Sequence, residues 1–251
     1  MREASKTNNN CAPNTVTYSA LISAYSRHEQ GTSIDKVLAL YEEMASAHLQ
    51  PDAITFSALI SACERAGAPL HAVRILDEAH ERGFVLQTPV YNSVLAALAA
   101  QGLSERATEV FLGMQVVGIE PNRGTYTALM MAYKHDGRWA AAVDLLDDME
   151  RSSQVRPDAE LFAMAVEAAA EADEIEAALG VVERMQAGGL QLPGPPAAAL
   201  VAACNRVGGQ AARLRTLGLL PPLESPGSPV SNPDDISAAM ARVAISDEAV
   251  E

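Results

Sequence analysis

The residue types that most often do chemistry are few in this chain of 251 residues, and their spacing forms no reaction centre. The three cysteines stand at positions 11, 63 and 204, without the C-x-x-C spacing of a zinc or redox site. The five histidines, at 28, 48, 71, 80 and 135, share no metal-binding spacing with a cysteine or a carboxylate. We therefore expect no catalytic residues, no metal site and no cofactor.

Motifs of known enzyme classes are absent from the sequence as well. It contains no G-x-x-x-x-G-K-[ST], G-x-S-x-G or H-E-x-x-H, and no H-x-E combined with C-x-x-C. No apolar run approaches the roughly 20 residues that cross a bilayer. Residues 1–10 are polar, unlike a secretory signal, and no transit peptide is visible. The sequence thus predicts no enzyme, no membrane partner and no small-molecule substrate.

The net charge of −14 counts against a nucleic-acid partner, because phosphate binding normally requires a basic patch. Residues 15–158 contain 11 Lys/Arg and 18 Asp/Glu, and the residues from 159 onward contain 5 and 13. Acidity is therefore present throughout and is densest per residue in the C-terminal third. Binding to nucleic acid would require the positive groups to be concentrated on one face.

A ten-residue phrase returns along the chain at a nearly constant interval. Its copies start at 15, 53, 88, 123 and 159, which are 38, 35, 35 and 36 residues apart. They read TVTYSALISA, AITFSALISA, TPVYNSVLAA, RGTYTALMMA and AELFAMAVEA. Such a period is typical of one supersecondary unit stacked on itself, and the abundance of alanine with only 4% aromatic residues favours packed helices.

One repeat, residues 53–87, predicts two helices joined by a turn. Asp52 is placed to cap the first helix, and Gly67 with Pro69 ends it. The first helix is predicted to bury an apolar stripe of Ile54, Phe56, Leu59, Ile60 and Cys63. The second is predicted to bury Val73, Leu76 and Ala79. Two helices of about a dozen residues cannot cover their apolar faces alone, so neighbouring repeats must complete the core.

The same plan divides the chain. Residues 1–14 form a lead-in, and five repeats follow at 15–52, 53–87, 88–122, 123–158 and 159–193. The first repeat has three extra residues near position 31. A degenerate sixth or capping repeat occupies 194–220, with helices over 196–206 and 210–217. The acidic tail 221–251, rich in Pro, Ser and Asp, is predicted to be disordered, with at most a short helix at 236–244.

The segments VTYSALISAY, LALYEEM and LQPD together resemble the pentatricopeptide repeat family over roughly residues 14–193. The tetratricopeptide repeat fits less well, since the single tryptophan, Trp139, stands in a second helix. The repeat pattern and the resemblance predict an all-α fold, a right-handed superhelical α-solenoid of helix-turn-helix repeats. The methionines that recur at the end of the second helices, at 44, 114, 149 and 185, are predicted to pack in the core.

The resemblance implies binding of short single-stranded RNA, one base per repeat. In that family the fifth and the last residue of a repeat face the edge of the base. The pairs here are Ser19 with Asp52, Ser57 with Gln87, Asn92 with Asn122, and Thr127 with Asp158. The family code translates them as G, unassigned, C or U, and G. A hydroxyl with a carboxylate suits the N–H donors of guanine, and two amides suit a pyrimidine.

Two further features of the family can be located. The second residue of a repeat sandwiches the bases, and Val16, Ile54 and Pro89 fit this role, whereas Gly124 and Glu160 depart from it. A basic residue late in the first helix meets phosphate, and the candidates are Arg27, Arg65 and Lys134. The fifth repeat pairs Ala163 with Pro193, which cannot read a base edge through side chains, so recognition is expected to fade after the fourth repeat.

The same residues allow a second interpretation. Asp52, Asn122 and Asp158 can simply cap the next helix, and the basic residues can be ordinary surface charge. The chain is then a protein-interaction scaffold, or an accessory subunit of a larger ribonucleoprotein complex, that does not read bases. Three cysteines without paired spacing indicate a reducing compartment, and by analogy with the family the expected location is the chloroplast or the mitochondrion.

Overall fold

The computed structural model describes residues 13–26, 34–151, 155–208 and 210–221. These residues contain twelve helices and no strand, so the chain is an all-α protein. The helices are α1 (Thr15–Ser26), α2 (Ile34–Ser46), α3 (Ala53–Arg65), α4 (Pro69–Glu81), α5 (Thr88–Ala100), α6 (Ser104–Val116), α7 (Arg123–His135), α8 (Trp139–Arg151), α9 (Ala159–Glu171), α10 (Ile175–Ala187), α11 (Gly194–Val207) and α12 (Ala211–Thr216). The lead-in up to residue 12, Arg27, the extra residues near position 31 and the tail beyond 221 lie outside the described residues.

The first helices begin where the sequence supplies a cap. The Asp52 side chain accepts a hydrogen bond from the amide of Thr55, and the Thr55 hydroxyl accepts one from the amide of Asp52. Asn122 and Thr125 form the same reciprocal arrangement at the start of α7. Each of these capping boxes satisfies amide groups that a helix terminus otherwise leaves without partners.

A left-handed residue ends α3 and allows the chain to reverse. Gly67 has a φ of +62°, a conformation that costs little only for glycine. Pro69 then opens α4 at the first helical position, where its missing N–H removes no bond. The first and second helices of the first, second, third and fifth repeats pack against each other as hairpins.

The chain divides into two compact units, residues 1–136 and 137–251. In the first unit the helices α1, α3, α5 and α7 pack one against the next, and each of α2, α4 and α6 packs against the first helices on either side of it. The rings of Phe56 in α3 and Phe84 lie 5.5 Å apart, and Tyr41 of α2 approaches Phe56 at 6.4 Å. The core of this unit is thus completed by neighbouring repeats.

In the second unit α9 contacts α8, α10 and α11. Its interior is built on small residues, because alanines occupy most of the buried positions of α9. Arg206 of α11 forms an exposed ion pair with Asp173 at 2.7 Å. Arg213 of α12 contacts both Glu176 and Glu183 of α10. Exposed pairs of this kind contribute little each, so packing of the apolar faces is what stabilises the unit.

The predicted buried stripes are correct except at two positions. Ile54 is 65% exposed, because it precedes Cys63 by nine residues, or two and a half turns, and so lies on the opposite face of α3. Val73 is only half-buried at the edge of the stripe, and Ala72 and Ile75 take the interior places in α4. The prediction for the four recurring methionines is confirmed, since all four are fully buried.

Both described cysteines are buried and unpaired. Burial raises the pKa of the Cys63 thiol to about 11, although the charge of Arg74 acts in the opposite direction. The thiol is therefore protonated at neutral pH, and we assign Cys63 a packing role. No helix among the described residues is long and apolar enough to cross a membrane.

Candidate functional site

Each first helix has one side, made of the same four repeat positions, that we call the repeat face. It consists of repeat positions two, five, nine and thirteen, which lie within about 80° of one another around an α-helix. In α3 these positions are Ile54, Ser57, Ser61 and Arg65. In α7 they are Gly124, Thr127, Met131 and His135. In α3 the residues proposed for base sandwiching, base reading and phosphate contact, Ile54, Ser57 and Arg65, therefore share one side of the helix.

Apolar side chains at the second repeat position stand on the repeat face without being covered. Val16 is 70% exposed and Ile54 is 65% exposed. Each lies in the first turn of its helix, at the second position of its repeat, and Pro89 is also exposed there. The aliphatic surface at this position is thus available to a flat apolar ligand.

Ser19 and Asp52, predicted as a pair, meet in the structure. The Ser19 hydroxyl lies 3.4 Å from Oδ1 of Asp52 and 2.7 Å from the hydroxyl of Thr55. The Thr55 hydroxyl in turn donates to Oδ1 of Asp52 at 2.7 Å. Ser19 is buried, whereas Asp52 is half-buried at the rim. The three side chains form one connected polar cluster.

The carboxylate of Asp52 is held in its charged form. Burial opposes ionisation, but hydrogen bonds from Thr55 and Ser19 outweigh it, and the pKa of Asp52 lies below its ordinary value. At neutral pH Asp52 can only accept hydrogen bonds. Its Oδ1 already receives the amide and the hydroxyl of Thr55.

Asn92 and Asn122, the pair of the third repeat, are also in contact. The amide N–H of Thr125 donates to the side chain of Asn122 at 3.1 Å, which identifies the receiving atom as Oδ1. The Asn92 atom that lies 3.1 Å from this oxygen must then be Nδ2. The remaining oxygen of Asn92 accepts from the Thr125 hydroxyl at 2.7 Å. The orientation of both amides is thereby fixed.

Gly124 makes room for this arrangement. A Cβ at position 124 would lie 3.0 Å from Nδ2 of Asn92 and 3.3 Å from Oδ1 of Asn122. Either approach is tighter than ordinary van der Waals contact, so a larger residue would displace the Asn92 amide. The departure from an aliphatic second position at Gly124 therefore has a local steric explanation.

The pair of the second repeat is not joined in this way. The Ser57 hydroxyl donates to the carbonyl of Ala53 in its own helix at 2.7 Å. Gln87 is exposed and precedes α5 without a side-chain cap bond. The third position of α5 is Val90, which has no hydroxyl. In the described part of the chain, no hydrogen bond connects the side chains of Ser57 and Gln87.

The last predicted pair is divided between the two units. The Thr127 hydroxyl donates to the carbonyl of Arg123 at 3.0 Å. The Asp158 side chain caps α9 by accepting from the amide of Leu161 at 3.0 Å. In the fifth repeat Ala163 is buried, and Glu160 and Glu171 occupy exposed positions of the repeat face.

The two described candidates for phosphate contact, Arg65 and Lys134, differ in their position on the helix and in their exposure. Arg65 is the last residue of α3 and is exposed, with Nε near the carbonyl of Ser61 at 3.5 Å. Lys134 is half-buried and is the penultimate residue of α7. The position equivalent to Arg65 is taken by His135, whose Nδ1 lies 3.2 Å from the carbonyl oxygen of Ala99.

Thr55 and Thr125 were not singled out from the sequence, although both belong to the recurring opening phrase. A hydroxyl at the third position of three copies was the available signal. Within the described ranges, no cluster of three or more His, Cys, Asp or Glu side chains could hold a metal ion. The site is therefore a set of polar pairs and exposed aliphatic residues.

The chain matches known proteins over most of its length. The profile described as the pentacotripeptide-repeat region of PRORP matches residues 56–217, and that of the PPR repeat family matches residues 13–65. The chain belongs to the pentatricopeptide repeat family.

Two of the chain's curated relatives are plant proteins. A mitochondrial pentatricopeptide repeat-containing protein of Arabidopsis thaliana is 29% identical over 180 residues, covering 72% of this chain and 28% of the relative. The chloroplastic pentatricopeptide repeat-containing protein 10 of Zea mays is 39% identical over 77 residues, which is 30% of this chain and 10% of the relative. The chain thus spans a minor part of the length of these relatives.

Solved structures share the fold. The maize protein PPR10 superimposes with a TM-score of 0.62 at 24% identity, covering 96% of this chain and 35% of that one. The PPR domain of Arabidopsis thaliana protein-only RNase P 1, crystallised in complex with tRNA, gives a TM-score of 0.58 at 20% identity over 73% of this chain and 95% of that one. The fold is an α-solenoid, as the sequence predicted.

Proposed function

We propose that this chain binds short single-stranded RNA along the repeat face, with one base read by each of the first four repeats. It acts without catalysis, by occluding an RNA segment, by keeping it unpaired or by guiding another factor to it. The observation that carries the proposal is that Ser19 with Asp52, and Asn92 with Asn122, already meet as polar pairs.

The two pairs offer complementary groups to two different base edges. Oδ2 of Asp52 and the lone pairs of Ser19 are acceptors, which suit the N–H donors on the edge of guanine. The amide of Asn122 retains N–H donors, which suit the acceptors on the edge of a pyrimidine. The first base is therefore guanine and the third is cytosine or uracil, while the fourth, assigned to Thr127 and Asp158, is guanine.

The exposed aliphatic residues supply the contact with the base planes. Val16 and Ile54 stand beside the first base-reading position on successive repeats, and Pro89 follows on the third. Bases present large flat apolar faces, so aliphatic side chains at regular spacing can hold them apart without selecting among them. Selection is left to the polar pairs.

Affinity comes from a small number of phosphate contacts, for which we propose Arg65, Lys134 and Arg27. Because only a few phosphates are neutralised, few counterions are released on binding and the affinity falls only moderately with added salt. Three or four bases give limited specificity on their own. The proposed role is therefore that of a short reading module.

The names of the relatives suggest the setting. Several of them are designated mitochondrial or chloroplastic, and one structural neighbour was crystallised with tRNA. We propose an organelle location and a part in RNA processing, stability or translation.

The test is binding of fluorescent single-stranded RNA containing G-N-Y-G at low and moderate salt, with Asp158→Asn alongside wild type. Asparagine caps helices as well as aspartate does, so this change preserves α9 while converting an acceptor into a mixed donor and acceptor. We expect salt-dependent binding whose preference at the fourth base moves from G towards A. An unchanged preference refutes base reading by Asp158.

The second candidate function is a protein-interaction scaffold within a ribonucleoprotein complex. It is favoured by the fifth repeat, where Glu160 and Glu171 stand on the repeat face in place of apolar and basic residues. An acidic surface of this kind suits a basic protein partner. Absence of RNA binding even at low salt would select this function over the first.

A further inference from the structure

Two fully buried hydroxyl groups lie where the side chains of a base-reading pair meet. Thr55 and Thr125 are both 0% exposed, and each is the third residue of its helix, α3 or α7. We infer that these two threonines are positioning residues that lock the pairs of the first and third repeats in one hydrogen-bonding orientation. The inference rests on the function proposed above.

The Thr55 hydroxyl bridges the two members of the first pair. Oδ1 of Asp52 and Oγ of Ser19 both lie 2.7 Å from this hydroxyl. The ionised carboxylate of Asp52 cannot donate, so Thr55 donates to it. The Ser19 hydroxyl has two acceptors within reach, the Thr55 hydroxyl and the carbonyl of Thr15 at 2.8 Å, and its proton is used internally with either one.

This arrangement determines what the first pair offers to a ligand. The proton of Ser19 is used internally, and the Thr55 hydroxyl is saturated because it also accepts the amide of Asp52 at 3.3 Å. The groups that remain are the lone pairs of Ser19 and Oδ2 of Asp52. The pair therefore offers only acceptors, and the bridging Thr55 hydroxyl holds its two side chains in place.

Thr125 holds the third pair in the same way. Its hydroxyl donates to the oxygen of Asn92, and its amide N–H donates to the oxygen of Asn122, which also accepts from Asn92. The oxygen of Asn122 is thereby saturated, whereas the oxygen of Asn92 keeps one lone pair. The second N–H of Asn92 and both N–H groups of Asn122 also remain, so this pair offers mainly donors.

The other two pairs lack this device. The third position of α5 is Val90 and that of α9 is Leu161, neither of which has a hydroxyl. Ser57 is bonded only to the carbonyl of Ala53, and its partner Gln87 is an exposed, flexible side chain. An RNA base must order such a pair when it binds, which reduces discrimination. We expect sharp preferences at the first and third bases and weaker ones at the second and fourth.

The experiment selects preferred sequences from a randomised pool of short single-stranded RNAs with wild type, Thr55→Val and Thr125→Val. Valine matches threonine in shape and removes only the hydroxyl. We expect Thr55→Val to reduce discrimination at the first base by about fivefold to tenfold, the value of roughly one hydrogen bond. Thr125→Val should reduce discrimination at the third base by a similar factor. Thr55→Val should leave discrimination at the third base unchanged, and Thr125→Val should leave it unchanged at the first base.

Two controls separate positioning from stability. Thr55→Ser and Thr125→Ser keep the hydroxyl and should restore the preferences. Thr17→Val removes an equivalent cap hydroxyl, which donates to Asn14 at 3.0 Å, but Asn14 belongs to none of the proposed pairs. This variant should lower the thermal midpoint while leaving every base preference intact.

The outcomes are distinguishable. If wild type selects bases and Thr55→Val and Thr125→Val select them equally well, or bind all sequences equally more weakly, the threonines are only helix caps and the inference is wrong. If wild type binds RNA without selecting any base, or fails to bind it, the proposed function is itself wrong. If each valine variant loses selection at one base position only, the result supports both the proposed function and the positioning role of the threonines.

Discussion

Helices α3 and α9 occupy the same place in their repeats, yet they differ in what they expose. Both have an aromatic residue at the fourth position, Phe56 or Phe162, and both bury it almost completely. On the repeat face, however, Ile54 of α3 corresponds to Glu160 of α9, and Arg65 corresponds to Glu171. Packing between neighbouring repeats therefore restricts which residues can occupy the buried stripe, whereas the residues of the repeat face can differ in charge and polarity.

The two caps show the same contrast on a smaller scale. At α3 the N-cap Asp52 is tied to the hydroxyl and the amide of Thr55. At α9 the N-cap Asp158 accepts the amide of Leu161, whose side chain offers no hydroxyl. Both aspartates start a helix, and Asp52 is also joined through Thr55 to the preceding repeat, at Ser19.

The largest effect is expected at the buried aromatic residue that α3 and α9 have in common. Phe56→Ala should lower the free energy of unfolding by about 3–5 kcal/mol, because it removes a fully buried ring that packs against Phe84. Phe162→Ala should cost a similar amount. Urea unfolding followed by circular dichroism measures both losses.

The matched control for this prediction is Ile54→Ala on the repeat face. Ile54 is largely exposed, so its truncation should change the free energy of unfolding by no more than about 0.5 kcal/mol. A large loss at Ile54 would mean that this side chain is part of the core after all.

Exchanging the charges at the end of the two helices should move RNA affinity in opposite directions. Arg65→Glu should weaken binding at low salt by about three- to tenfold and reduce the slope of log K against log salt by about 0.7, the value of one single-strand phosphate contact. Glu171→Arg should strengthen binding. Fluorescence anisotropy at several salt concentrations measures both, and an unchanged slope in Arg65→Glu would contradict a phosphate contact at Arg65.

Removal of the cap at α3 should have a pH-dependent effect. Asp52→Ala should cost about 1–2 kcal/mol at neutral pH. Because the pKa of Asp52 in the folded state lies below the ordinary value of 3.8, its ionised form stabilises the fold above about pH 4, and this stabilisation is lost as the pH falls through the lower, folded-state pKa.

The control for the pH dependence is Asp52→Asn, which keeps the cap and removes the titrating group. Thermal unfolding between about pH 3 and pH 7 should show a smaller decline for this variant than for wild type. An identical decline in the two proteins would show that other carboxylates account for the acid sensitivity.

The smallest effect is expected at two helical glycines. Gly113→Ala in α6 meets no atom within 4 Å and should stabilise the fold by about 0.5–1 kcal/mol through helix propensity. Gly124→Ala should gain less, because the new Cβ would lie 3.0 Å from Nδ2 of Asn92. It should also weaken selection at the third base, measured with the same RNA pool. Equal gains at both sites would show that the contact between Asn92 and Asn122 is dispensable for stability.

Much of the fold follows from short-range signals in the sequence. Asp52 and Asn122 predict the starts of α3 and α7, and Gly67 with Pro69 predicts the turn after α3. These devices act within a few residues, so they can be recognised without knowing the neighbours. The error at Ile54 arose from grouping apolar residues by spacing alone, since its angle around the helix places it opposite Cys63.

The pairing of the candidate site could be predicted only through the repeat register. Ser19 and Asp52 are 33 residues apart, and nothing local connects them. The involvement of Thr55 was missed, because Thr55 belongs to a recurring phrase of mostly apolar residues. The recurrence of that phrase is explained by packing alone, so it gave no reason to assign a role to the hydroxyl. Its hydroxyl lies 2.7 Å from that of Ser19 only after α1 and α3 have packed together.

By itself, the sequence determined the period, the helices and the family, because caps, turns and helical periodicity are encoded within each repeat. The tertiary structure alone decided which polar groups are already satisfied and which remain for a ligand. That depends on where the hydroxyls of Thr55 and Thr125 lie relative to the preceding repeat, and a hydrogen bond forms only when donor and acceptor come within about 3 Å.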